Sequence, residues 1–135
     1  MALVIDLKPG EKILIGSAVI TNDKQRTRLH IAGDAAIMRE KDVMKEEDAD
    51  TPCKKVYFLI QCMYMAREPK IYHKKYFDMV KEIQTAAPRT AIFFLSINEN
   101  IIDGHYYKAM KDARELIKFE EGLMKHAAGQ TSESK

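Results

Sequence analysis

In the segment Arg26-Thr27-Arg28-Leu29-His30-Ile31, cationic or titratable side chains recur at every second position. An extended backbone puts Arg26, Arg28 and His30 on one face, and Thr27, Leu29 and Ile31 on the other. With Lys24 in the adjoining turn, this makes a compact positive surface of the kind that holds phosphate groups. The same alternation also describes the ordinary wet side of an antiparallel strand, and the residues alone leave both readings open. Arg39, near the end of the next strand, extends the surface if that strand pairs nearby. A second stripe follows Pro69: on one continuous helix Lys70, Lys74 and Lys81 fall within about 40° of one another, with Phe77 on the same line. Basic groups around an aromatic ring can track a nucleic-acid backbone and stack a base. Equally, Phe77 can pack on a neighbouring helix while its lysines snorkel outward.

Catalytic chemistry finds no such pattern. Glu46, Glu47 and Asp48 are consecutive and point in different directions on a helix, as a solvated acidic face does. Ser17, His30 and Asp34 name the members of a triad, but no nucleophile-elbow glycines flank the serine. His30, His73, His105 and His126 are scattered without metal-ligand spacing. The Gly10 to Gly16 stretch matches neither a Walker loop nor a dinucleotide fingerprint. Cys53 and Cys62 sit nine residues apart on one expected helix, on opposite sides of it, so they are expected to stay reduced. The expectation is a non-enzyme without cofactor or metal.

The elements that position these residues change character near residue 50. Residues 3–40 predict five short strands, with turns at Pro9-Gly10, Gly16-Ser17, Asn22 to Gln25 and Gly33-Asp34, arranged as an antiparallel meander. Thr51-Pro52 is a cap followed by a proline at the first helical position, opening a helix to about Ala66. Further helices are expected over Pro69 to Ala87, Thr90 to Ile102 and His105 to Met124. The predicted fold class is α+β: an antiparallel β module at 1–44, an α-helical bundle at 45–127 and a disordered tail at 128–135. A β unit this small cannot bury enough surface alone, so it is expected to pack on the helices, on a second copy, or on both.

With 135 residues and 46% hydrophobic content, the chain has enough apolar material for a real core. Its formal net charge of +2 argues against indiscriminate coating of nucleic acid. That charge divides into −2 over residues 1–50 and +4 over residues 51–135, too mild a split to choose between nucleic acid and an acidic protein. The longest apolar runs, Val56 to Ile60 and Ala91 to Leu95, fall far short of a membrane span, and no signal-peptide pattern opens the chain. A soluble, cytoplasmic protein with no membrane partner is expected.

Four segments carry a family resemblance: MALVIDLKPGEKILIGSAVITND, RTRLHIAGDAAIMREKD, DADTPCKKVYFLIQCMYM and GHYYKAMKDARELIKFE. Over residues 1 to about 120 the chain resembles the FlbT family of bacterial regulators of flagellin synthesis. The resemblance implies a post-transcriptional regulator of flagellum biogenesis that acts on the 5′ untranslated leader of flagellin mRNA, as repressor or activator. It also implies functional opposition to a protein named FlaF.

Residues 2–43 are similar, more faintly, to the carbon storage regulator CsrA, through Gly10-Glu11, Ile15-Gly16, Arg28-Leu29-His30-Ile31 and Ile37-Met38-Arg39-Glu40 in that order. This likeness implies an RNA-binding β module, a homodimer through that module, and an RNA contact at Arg39. Leu7 and Lys8 stand where CsrA carries consecutive arginines, and Met38 replaces a histidine.

The sequence therefore points to a regulator in which Lys8, Arg26, Arg28, His30 and Arg39 hold phosphates while Met38 and strand-edge backbone groups meet bases. The Lys70, Lys74, Phe77 and Lys81 stripe is the secondary candidate. The alternative is a docking protein whose helical module, rich in Met63, Met65 and tyrosines, binds FlaF or flagellin and affects mRNA only indirectly.

Overall fold

The computed structural model describes the backbone of residues 2–133 and the side chains of residues 3–127. Two compact units divide the chain, residues 1–43 and residues 44–135.

In the first unit the turns lie where the glycines demand them. Lys8-Pro9-Gly10-Glu11 closes with a 3.0 Å bond from the Glu11 N–H to the Lys8 carbonyl, and Gly10 takes φ 75°. Proline in the second place and a positive-φ glycine in the third are what a type II turn requires. The strands are β1 (Ala2–Leu7), β2 (Lys12–Ile15), β3 (Ala18–Thr21), β4 (Thr27–Ala32) and β5 (Ile37–Arg39). They form two sheets, one ordered β1-β4 and the other β3-β2-β5, with every pairing antiparallel. This corrects the expected meander. Only β2 and β3 form a hairpin of consecutive strands, because the Pro9-Gly10 turn passes the chain from one sheet to the other.

Period-two alternation explains the core of this unit. Leu3, Ile5 and Leu7 share a face of the first sheet with Thr27, Leu29 and Ile31. Ile5, Leu7 and Ile13 are buried, with Ile15, Leu29, Ile31 and Ile37 partly buried against them. The cluster is small, as the length of the segment anticipates.

The second unit contains α1 (Pro52–Met65), α2 (His73–Ala86), α3 (Ala91–Ile102) and α4 (Tyr106–Glu133). Thr51 caps α1 as its position predicts, its side chain accepting from the Lys54 N–H at 3.2 Å. Glu120 adds to that cap: it accepts from the Cys53 N–H at 3.0 Å and from the Thr51 hydroxyl. The core draws Val56, Ile60 and Met63 from α1, Tyr76 from α2, Phe94, Ile97 and Ile101 from α3, and Met110 and Leu116 from α4. Gln61, 8% exposed, pairs both ends of its amide with the backbone of Met44, at 2.8 Å and 2.9 Å.

Two boundaries differ from the sequence expectation. Residues Pro69–Tyr72 form a 3-10 turn, so α2 starts at His73 and not at Pro69. Helix α4 continues to Glu133, through much of the stretch expected as a tail from 128, while residues 134–135 lie outside the described residues. Cys53 and Cys62 are free thiols. Among the described residues no helix is long and apolar enough to cross a membrane.

Candidate nucleic-acid interface

The ladder between β1 and β4 sets Asp6 directly opposite Arg28 and Val4 opposite His30, on the face turned away from the core. Arg28 Nε donates to Asp6 Oδ1 at 2.9 Å. From the second sheet, Arg39 Nη1 reaches the Asp6 carbonyl oxygen at 3.2 Å and Glu11 Oε2 at 3.2 Å. Glu11 is itself held by the Lys8 N–H, 2.9 Å from Oε1.

Electrostatics report the same convergence. The Arg28 hydrogen bond, helped by the charges of Arg28, Arg26 and Arg39, holds the Asp6 carboxyl below its usual range. Glu11 is lowered as well, by the Lys8 backbone donor and then by Arg39. Arg28 is raised by its bond to Asp6. Arg28 and Arg39 therefore both bond to Asp6, one at its carboxylate and the other at its backbone carbonyl, and the charge of Arg26 acts on the same carboxylate.

The two ion pairs are not alike. Arg28 and Asp6 have side chains 65% and 59% exposed, so water competes for their bond and an incoming anion can replace the carboxylate. Arg39 and Glu11 are 30% and 23% exposed, and Arg39 is more firmly placed. An oxygen-rich anion over this face would exchange Asp6 for its own oxygens at Arg28 while Arg39 stays oriented.

A buttress fixes the loop beside this face. The Asn22 side-chain amide donates to the carbonyls of Leu7 (3.2 Å), Lys8 (2.9 Å) and Gln25 (2.8 Å), tying the Pro9-Gly10 turn to the turn that carries Lys24. Lys8, Lys24, Arg26 and His30 are exposed around it.

Met38 departs from its expected role. It is 3% exposed, so its side chain is not available to a base. The residues that sequence reasoning missed are Asp6, Glu11 and Asn22. Asp6 could be assigned to the outward face from the alternation of β1, but its pairing with Arg28 needs a register between strands far apart in the chain.

The secondary stripe is only partly assembled. Lys70 lies in the 3-10 turn, outside the helical phase of α2, so the alignment computed on one continuous helix does not include it. Lys74 is bound to Asp78 at 2.9 Å, and Lys81 is exposed. Phe77 is half-buried, its ring edge-on to Tyr76 and His73 at centroid separations of 4.9 Å and 6.5 Å. The packing alternative for Phe77 therefore describes its surroundings better than an open stacking platform. Met63, offered as part of a docking surface, is 1% exposed and belongs to the core.

Comparison with known proteins places the chain. The family model described as "Flagellar protein FlbT" matches residues 3–124. The chain is 47% identical over 124 residues to a probable flagellum biosynthesis repressor protein, FlbT 1, of Bradyrhizobium diazoefficiens, covering 91% of this chain and 85% of that protein. It is 41% identical over 124 residues to a probable flagellum biosynthesis repressor protein of Rhodopseudomonas palustris, covering 92% and 98%. The flagellum biosynthesis repressor protein FlbT of Caulobacter vibrioides is 27% identical over 135 residues, covering 98% and 96%. No solved structure matches. With a family match spanning nearly all of its length, this chain belongs to the FlbT family.

Proposed function

We propose that this protein is a cytoplasmic, non-enzymatic regulator of flagellum biosynthesis that binds the 5′ untranslated leader of flagellin mRNA and lowers its translation or stability. The names of the relatives, flagellum biosynthesis repressors, support the regulatory part. RNA contact and the CsrA-like character of the first unit are the finer part of the reading. The observation that supports them is that Arg28 and Arg39, from different sheets, both bond to Asp6, with Arg26, Lys8 and His30 exposed on the same unit. In this reading Arg28 exchanges Asp6 for a phosphate, Arg26, Arg39 and Lys8 add phosphate contacts, and His30 adds a donor. Specificity comes from backbone groups and not from the buried Met38.

If about four phosphates are neutralised at roughly −0.7 per contact, affinity for a single strand falls about 50-fold over a fourfold rise in salt. The test is affinity for the flagellin leader at two salt concentrations, for wild type, Arg28→Ala and Arg39→Ala. Unchanged affinity in both variants, with no salt dependence in any of the three proteins, would remove direct RNA binding from the reading.

A further inference from the structure

Helix α3 is apolar on nearly every side, but only part of it is covered. Phe94, Ile97 and Ile101 are fully buried. Phe93 packs against Phe119, and Ser96 and Asn100 both donate to Asp112 of α4, at 2.6 Å and 2.9 Å. The remaining side carries Ile92, Leu95 and Ile102, which are 71%, 73% and 68% exposed. At about 100° per residue these three and Glu99 fall within roughly 80° of one another, on the side away from the buried one. Three large aliphatic side chains in line on one helix are unlike the scattered apolar residues of an ordinary surface.

The charges on this face select the occupant. Glu99 sits inside the stripe, and Asp103 follows at the C-terminal end, where the helix dipole is also negative. The nearest cation before the helix, Arg89, is turned towards α4, its guanidinium 5.5 Å from the centre of the Phe119 ring. The exposed face of α3 is therefore apolar and acidic. A second copy of the same helix fits it poorly. An antiparallel copy sets Glu99 against Leu95 of its mate, and a parallel copy sets Glu99 against Glu99.

We propose that the Ile92, Leu95, Glu99 and Ile102 face of α3 docks an amphipathic helix of another protein, one with an apolar stripe in the same three–four–three spacing flanked by lysine or arginine. This interaction surface is independent of the RNA reading, since no residue of the β module takes part. Matching apolar rows supply the contact area, and a basic group over Glu99 gives the selectivity.

The experiment uses the full chain and two synthetic alanine-rich helical peptides. Both carry leucines in the three–four–three spacing, flanked by lysines in one and by glutamates in the other. Affinity is read by fluorescence anisotropy and the contact site by amide chemical shifts. The lysine peptide should bind at least about tenfold more tightly than the glutamate peptide, with shifts centred on residues 92–102. Glu99→Lys should reverse that preference, and Leu95→Asp should abolish binding with the circular dichroism spectrum unchanged. Absence of binding, equal affinity for the two peptides, or shifts centred elsewhere would overturn the proposal. So would self-association of the wild type that Leu95→Asp removes, because a second copy would then be the occupant.

Discussion

Asp6 and Arg28 face each other across the β1–β4 ladder, joined by a 2.9 Å bond between two exposed side chains. Twenty-one residues separate them in the chain, yet the register makes them immediate neighbours. The carboxylate orients the guanidinium and also competes with any anion for it.

Replacing that competitor should therefore strengthen RNA binding. Asp6→Asn keeps the size of the side chain and removes its charge, leaving Arg28 open to phosphate. Tighter binding of leader RNA is expected for Asp6→Asn and weaker binding for Arg28→Ala, measured by filter binding at one salt concentration. A loss of affinity in Asp6→Asn as large as in Arg28→Ala would show that the pair acts as one structural unit.

The pH dependence of stability follows from the lowered carboxylates. A group with a depressed folded pKa stabilises the fold above its unfolded value and loses that contribution as pH falls through the folded value. The unfolded references are 3.8 for Asp6 and 4.5 for Glu11. Urea midpoints should thus carry the full, pH-independent contribution of these two groups across the neutral range, and decline through them only in acid below those values. The double variant Asp6→Asn with Glu11→Gln should show a shallower acid decline than wild type. An equally steep decline in the double variant would assign it to other carboxylates.

The Gln61 amide satisfies both backbone groups of Met44 from a buried position. Gln61→Leu strands an N–H and a carbonyl together, a loss of about 1–3 kcal/mol for each group left unsatisfied. Thermal or urea unfolding of the variant measures this directly. Wild-type stability in Gln61→Leu would mean that water replaces the amide at both groups.

Burial, and after it the Glu120 carboxylate, pushes the Cys53 thiol up to about 12, and burial also raises Cys62. Both thiols should stay protonated and slow to alkylate in the folded protein at neutral pH. Mass spectrometry after iodoacetamide treatment should find Cys53 protected in buffer and modified in urea. Equal labelling rates in the two conditions would indicate that α1 opens readily at its N-terminus.

Local chemistry made the elements legible. Pro9-Gly10, Thr51-Pro52 and the alternation from Arg26 to Ile31 each act over a few residues, and the structure places a turn, a capped helix and a strand there. Pairing was not legible, because β1–β4 is decided by which apolar faces meet and not by the turns between them. The same limit applied to the site. The cationic residues were visible one by one, while Asp6, Glu11 and the Asn22 buttress depend on contacts across fourteen or more residues. On α2, a 3-10 start shifts the helical phase and removes Lys70 from an alignment that assumed one uniform helix. On α3, composition announced an apolar helix, but only packing shows which side stays uncovered.

The division into a two-stranded and a three-stranded sheet leaves β2, among the described residues, as the one strand of this unit flanked on both sides. The other four are rims, and rims of this kind invite pairing between separate molecules and eventual precipitation. Arg28 and Arg39 sit on two of those rims, and Asp6 on a third. Charge on an outermost strand is a common guard against such pairing. These charges are expected to oppose such pairing, so a neutral variant at Arg39 should precipitate at a lower protein concentration as well as lose affinity.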